Sequence, residues 1–300
     1  MQGKGVSMVK AFQSVVAVGV LSALASLSPF TTVRAATTTD KILSEKKLTA
    51  GIHGGKPWAY RTPDGKVEGF NVDIVRAVFE PLGVTEINFV TGDFGSLIPG
   101  LISNRFDIVD SSVVITAERC KLVSFGDPEL TSIDALLVKK GNPHKIASFN
   151  DVIKDPALKI GGSRGSQQAK NAELAGLKDQ LQLFQNTEST VSALVAGRVD
   201  GITFTSGTVN ALLATPAIGA STERAKPFVG LSDANGKPVA SYVAAVFRRQ
   251  DTDLRDLFNK RLAELKADGT IAKIMARYGF EPDEKAPDGL TGTEVCAGKN

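Results

Sequence analysis

The chain has 300 residues, 42% hydrophobic and 22% charged, with 35 bases against 32 acids for a formal net charge of +3; this exceeds one average domain and supplies enough apolar content for two packed cores. Charge so nearly balanced makes no electrostatic case for nucleic acid or an anionic membrane as partner. His53, His144, Cys120 and Cys296, the whole histidine and cysteine complement, show no ligand spacing, so neither a metal site nor a cofactor is expected.

Residues 1–35 read as an export signal. Lys4 and Lys10 make a positive start, Val15 to Leu27 an apolar run, and Val33-Arg34-Ala35 a small-residue cleavage site. A membrane anchor is the competing reading, but the run is interrupted by Ser22 and Ser26 and falls short of the ~20 residues a spanning helix needs. Cleavage would leave a chain starting at Ala36, free in the periplasm, with 32 bases facing 32 acids once Lys4, Lys10 and Arg34 are gone. Export also places Cys120 and Cys296 in an oxidising compartment, where a disulfide is favoured over free thiols. Such a bond would close a loop of some 176 residues, worth on the order of 5 kcal/mol in the chain-entropy account.

Past the signal, Leu48 to Ile52 reads as a strand and Thr62-Pro63-Asp64-Gly65 as a turn. Asn71 reads as the cap of a helix carrying Ile74, Val75, Val78, Phe79 and Leu82, ended by Pro81-Leu82-Gly83. Strand Ile87 to Val90, helix Phe94 to Ser103, strand Ile108 to Asp110 and helix Thr116 to Lys121 follow. A second set begins after Lys139-Lys140-Gly141-Asn142-Pro143: strand Leu158 to Gly161, helix from Gly165, strand Leu181 to Phe184, helix Thr187 to Ala196 and strand Gly201 to Phe204. After a Gly-Lys-Pro turn at 236 to 238 the chain is strand-like over Tyr242 to Phe247 and closes with helices whose core positions include Leu254, Leu257, Phe258, Leu262 and Leu265.

This alternation predicts an α/β protein of two lobes, each a mainly parallel sheet flanked by helices. Residues 36–138 would form the first lobe, 139–240 the second, and 241–300 would return to the first and finish in a tail held by the disulfide. Two hinge strands, Ala135 to Lys140 and Val239 to Phe247, would join them. Ligands of open α/β sheets bind beyond the carboxyl ends of the strands, so the cleft between the lobes is the expected site.

Several signatures, in the same order, resemble the periplasmic binding proteins for polar amino acids and related solutes, solute-binding family 3. Phe70-Asn71-Val72-Asp73-Ile74 is similar to that family's "GFdvDi" helix start, Gly95 to Leu101 to its second helix, and Ile115-Thr116-Ala117-Glu118-Arg119 to its "IT-x-x-R" signature. Val123 to Pro128 and Thr293 to Gly298 are closest to the ectoine-binding branch. The resemblance implies the type II periplasmic binding protein fold, capture of a small carboxylate-bearing solute by hinge closure, and delivery to the membrane permease of an ABC importer. A monomer is expected.

Within that frame Arg119 is the expected carboxylate anchor, because a guanidinium suits bidentate capture; by its residues alone the favoured reading is a surface arginine paired with Glu118 or another acid, and its place in the matched motif reverses that. Gly165 and Ser166 match the family's "GT", at a strand-to-helix turn where backbone N–H groups favour an anion. Trp58 and Phe94 are expected aromatic walls, with core packing as the alternative for Phe94. Ser112, Val114 and Thr205 occupy matched cleft positions. The acid that the ectoine pattern expects near Gly55, the aromatic near Val114 and the aspartate near Thr205 are all absent. The solute's nitrogen is therefore expected to be missing, delocalised, or satisfied by carbonyls, hydroxyls and ring faces.

Two other readings compete. Gly161-Gly162-Ser163-Arg164-Gly165 satisfies G-x-S-x-G, but an α/β-hydrolase needs a histidine after its serine, and both histidines precede Ser163. A periplasmic dehydratase of prephenate type shares the fold, with Glu68 and Asp110 as candidate cleft acids. A sensor that shows its closed form to a receptor is the third class.

Overall fold

The computed structural model describes residues 36–299 apart from 234, 237, 238 and 240; the expected export signal lies outside the described residues. Helix α1 (Thr38–Glu45) starts at a capping box, with Thr37 Oγ1 accepting the Asp40 N–H and the Asp40 carboxylate accepting the Thr37 N–H. Strand β1 (Lys47–Ile52), the hairpin β2 (Tyr60–Arg61) and β3 (Val67–Glu68), α2 (Phe70–Phe79), β4 (Glu86–Thr91), α3 (Leu97–Ile102), β5 (Ile108–Val109), α4 (Ala117–Cys120) and β6 (Ser124–Phe125) follow. Next come β7 (Leu130–Ser132), β8 (Asp134–Lys139), α5 (Phe149–Lys154), β9 (Ile160–Ser163), α6 (Gln167–Ala172), β10 (Leu181–Phe184), α7 (Thr187–Val195) and β11 (Gly201–Thr205). The chain finishes with α8 (Ser206–Leu213), α9 (Pro216–Gly219), β12 (Thr222–Arg224), β13 (Ser241–Val243), β14 (Val246–Phe247), α10 (Thr252–Ala267), α11 (Thr270–Arg277) and α12 (Gly292–Cys296).

Two five-stranded sheets result, ordered β4-β1-β5-β14-β6 and β10-β9-β11-β8-β12. Three strands of each are parallel, and the fourth, β14 or β8, runs against its neighbours. The reason is connectivity. The parallel strands are fed by helical crossovers, whereas β8 and β14 enter straight from the other lobe. Both faces of each sheet are covered, so successive residues serve different cores: Ala135 and Leu137 of β8 pack into one cluster, Leu136 and Val138 into another.

The crossing itself is a two-stranded antiparallel ribbon in which Ser132, Thr131 and Leu130 of β7 pair with Ser241, Tyr242 and Val243 of β13. The expected first crossing, Ala135 to Lys140, is thus a correction. That apolar run is a central strand of the second sheet, buried at four of its six positions. The second crossing falls inside the expected 239–247 run, which divides into β13 and β14.

Asn71 is also corrected. Helix α2 is capped by Gly69, at φ 139°, where a Cβ would run into the Trp58 carbonyl; Asn71 lies two residues further in, inside the first turn, and is wholly buried. Cys120 and Cys296 form the expected disulfide, Cα atoms 5.8 Å apart, tying α12 to α4. No helix among the described residues is long and apolar enough to cross a membrane.

Candidate functional site

The carboxyl ends of the parallel strands deliver the site. His53 follows β1, Ser112 stands just beyond β5, Ser163 ends β9, Gln185 follows β10 and Thr205 ends β11; all line one cleft between the lobes, with an empty volume of about 650 Å³ including its open mouth.

Six of the eight expected site residues, Trp58, Phe94, Ser112, Val114, Ser166 and Thr205, line this cleft. Trp58 belongs to core and cleft at once. It is 2% exposed, packs against Phe280 and Phe70 at ring distances of 4.9 and 6.0 Å, and its indole N–H donates to Thr208 Oγ1 of the second lobe at 2.9 Å. Phe94 is half-buried, packs against the core that includes Leu97 and Phe106, and meets His53 edge to face at 5.6 Å on the cleft side, so it serves wall and core together. Val114 is 3% exposed and bridges to Val243 of the crossing ribbon. Thr205 caps α8, its Oγ1 accepting the Thr208 N–H.

Arg119 and Gly165 stand beside the cleft and meet each other. Arg119 Nη2 donates to the Gly165 carbonyl at 2.9 Å, Nη1 to the Val114 carbonyl at 2.7 Å, and the guanidinium lies over the Phe94 ring at 5.7 Å. Burial lowers its pKa to about 10, opposed by the charge of Glu118. The expected convergence of guanidinium and backbone N–H groups on one anion is not the arrangement found. The Ser166 N–H is donated to the Ser163 carbonyl at 3.1 Å, Ser166 Oγ accepts the Ala169 N–H to cap α6, and it is a carbonyl of Gly165 that faces the guanidinium. The cause is Gly165 itself: at φ +78° it turns its carbonyl outward, and a Cβ there would sit 3.1 Å from Gly95 Cα of the opposite lobe.

Further bonds cross the seam. Gln185 Nε2 donates to Asp93 Oδ2 at 2.8 Å, and the Ser206 hydroxyl donates to the Glu284 carboxylate.

Sequence reasoning used the histidines to reject a metal site and a hydrolase, and so missed His53. Its Nδ1 lies 2.5 Å from Ser111 Oγ, and its N–H donates to the same oxygen. Burial pushes its pKa down to about 4, leaving a neutral ring in the cleft wall. Its place at the end of a central parallel strand was the available signal. Glu188 was missed as well. It is exposed, in the first turn of α7 behind the Asn186 cap, and lines the cleft.

The two acids that kept a dehydratase reading open are elsewhere. Glu68 pairs with the Tyr60 hydroxyl, and Asp110, 1% exposed, lies under Ser112 outside the cleft lining.

The family model for bacterial extracellular solute-binding proteins, family 3, matches residues 48–281. The chain is 31% identical over 286 residues, 93% of each chain, to a probable amino-acid ABC transporter periplasmic-binding protein of Sinorhizobium fredii. It is 30% identical over 240 residues to the L-arginine-binding protein of Pseudomonas aeruginosa, across 78% of this chain and 88% of that one. The crystal structure of EhuB in complex with hydroxyectoine superposes with a TM-score of 0.76 at 31% identity, covering 87% of this chain and 98% of that chain. Two lobes of this topology, a cleft built from strand ends, and a family match from β1 to the end of α11 place this chain in family 3 of the bacterial extracellular solute-binding proteins.

Proposed function

We propose that the protein is the periplasmic, monomeric receptor of an ABC importer, and that it hands its membrane permease a small solute bearing a carboxylate and a planar, delocalised cation. The observation that carries this reading is Arg119. Its guanidinium is bonded to two carbonyls and, among the described residues, to no carboxylate, at a seam where an anionic group would be the better partner. When the lobes part, Nη2 loses Gly165 and is free to take the solute's carboxylate. Phe94 and Phe204 supply apolar and π faces for a flat body, the neutral His53 adds no competing charge, and Glu188 at the mouth attracts the cation. Hydroxyectoine and L-arginine, named with two of the relatives above, both fit this description chemically.

Lobe one would comprise 36–133 and 241–299, and lobe two 134–240, with the β7–β13 ribbon as hinge. Binding then shifts the population toward the closed form, since only there do both lobes touch the solute. Calorimetry against hydroxyectoine, L-arginine, L-proline and L-glutamate tests the reading. Micromolar or tighter binding of either of the first two, with L-glutamate much weaker, is expected; L-glutamate as the best of the four overturns it.

A further inference from the structure

Beneath the cleft floor lie three polar side chains sealed from solvent: Asn71 of α2, Asp110 just past β5 and Glu129 just before β7, exposed by 0, 1 and 1%. Asn71 Nδ2 donates to Asp110 Oδ1 at 2.6 Å and to Glu129 Oε2 at 2.9 Å, and its Oδ1 accepts the Ser112 N–H at 3.1 Å. Both amide hydrogens are committed, so the side chain cannot flip without setting its oxygen against two carboxyl oxygens. Ser112 needs that support. It is a cleft residue at φ 58°, a left-handed conformation that costs a non-glycine residue about 1–2 kcal/mol. Glu129 is tied to the hinge as well, its N–H donating to the Val243 carbonyl of β13 at 2.9 Å.

Asp110 and Glu129 are neighbours, since both accept from the one Asn71 Nδ2, and Asp110 Oδ2 and Glu129 Oε1 have no donor among the described residues. Two buried carboxylates at this range cannot both stay ionised without a counter-charge. The cation whose charge acts on Glu129 is Lys266 of α10, whose Nζ is bonded to the Pro128 carbonyl at 2.6 Å and draws on Glu129 only through space. On the β1 side His53 faces Ser111 as a neutral ring. On α2 the next acid, Asp73, is paired with Arg277 and Tyr278. A carboxyl proton is therefore the donor that completes the cluster.

We propose that Asn71 is the positioning residue of the solute cleft, holding Ser112 through its backbone N–H, and that the Asp110–Glu129 pair keeps Asn71 in place only while the pair retains a proton, so that the cleft loses its shape on the alkaline side. Burial raises both carboxyls, Asp110 further by the charge of Glu129, and Glu129 to about 8 against the opposing pull of Lys266. The folded state binds more protons than the unfolded one, so the stabilisation is full below the ordinary glutamate range near 4.5 and declines as pH rises through about 8. The inference rests on the proposed function only in treating Ser112 as a solute contact.

The test follows the Ser112 amide resonance and the Glu129 side-chain carboxyl carbon by NMR from pH 6 to 10, in the protein and in Glu129→Gln, with hydroxyectoine affinity measured at pH 6.5 and 9. Ser112 is expected to shift with the midpoint of the Glu129 carboxyl. In Glu129→Gln it should keep its pH 6.5 position throughout. Asn71→Ala should speed Ser112 amide exchange at least about tenfold, one hydrogen bond's worth; if that variant does not fold, Glu129→Gln and Asp110→Asn decide alone. A Ser112 resonance that ignores pH over this range, or one that titrates equally in Glu129→Gln, overturns the proposal. Hydroxyectoine affinity should fall about tenfold between the two pH values in the wild type and stay within about twofold in Glu129→Gln; equal falls in both overturn the gating. Should hydroxyectoine not bind at all, that counts against the proposed solute, while the Ser112 titration still decides this inference.

Discussion

Replacing Arg119 by alanine removes the cation from the seam and breaks the bonds to the Val114 and Gly165 carbonyls. Charge-assisted hydrogen bonds contribute about 1.5–3 kcal/mol each. A solute carboxylate that engages the guanidinium through two such bonds loses roughly 3–4 kcal/mol after partial compensation by water, which is about a hundredfold to a thousandfold in Kd. Arg119→Lys keeps the charge without the planar fork and should recover only part of the loss. The side chain is only partly buried at the rim of the lobe contact and belongs to none of the four cores, so melting temperature should move little. Calorimetry with hydroxyectoine and L-arginine, paired with circular dichroism, reads both quantities. Affinity within about twofold of wild type in a folded Arg119→Ala protein would show that the carboxylate is held elsewhere, and the assignment of the anchor would fail.

Reducing the Cys120–Cys296 bond, or replacing both cysteines by serine, frees a loop of 176 residues; the chain-entropy account gives about 5 kcal/mol, close to 9 °C in Tm for a domain of this size, and a fall under about 2 °C would contradict it. Gly165→Ala places a methyl 3.1 Å from Gly95 Cα in a left-handed conformation, so it should hold the lobes apart and weaken solute binding more than it lowers Tm; scattering unchanged on adding solute is the expected signature, and wild-type affinity the refuting one. Glu188→Gln should weaken a cationic solute by up to about fivefold at low salt and hardly at all at high salt, as an exposed charge does; an effect indifferent to salt would assign Glu188 another role. For His53, with its pKa lowered to about 4, stability is full above the ordinary histidine value near 6.5 and is lost as pH falls through about 4. His53→Gln should flatten the melting profile across that interval, and an unchanged profile would place the acid sensitivity elsewhere.

The strand–helix alternation was legible because each element carries its own short-range signal: helical spacing in Ile74, Val75, Val78 and Phe79, and apolar runs at Leu181–Phe184 and Gly201–Thr205. Six cleft residues were legible because strand ends and motif positions pointed to the same place. What failed was non-local. The hinge was sought in the most strand-like run, Ala135 to Val138, yet such a run marks a strand covered on both faces, whereas the true crossing is the shorter Leu130-Thr131-Ser132. Asn71 has the residue type of a cap, and only its bonds to Asp110 and Glu129, 39 and 58 positions away, reveal a buried clamp. The Arg119–Gly165 contact spans 46 positions and depends on which way one peptide faces, which no pattern of residue types encodes.

The same geometry explains why closure can answer to a solute. The lobes share one ribbon of three residue pairs, and the side-chain bonds that clasp them are few, three of the four with one charged partner: Trp58 to Thr208, Gln185 to Asp93, Arg119 to Gly165 and Ser206 to Glu284. Opening exchanges them for water at a net cost of about 1 kcal/mol for the neutral bond and about 1.5–3 kcal/mol for each of the others, together comparable with what one well-placed small molecule returns, since micromolar binding is about −8 kcal/mol. Each lobe keeps its own cores on both faces of its sheet, so the separation strips little packed apolar surface. A clasp this light lets a few contacts made only in the closed form move the equilibrium. Strengthening it, for instance with a cross-seam disulfide, should raise affinity while slowing release to the permease.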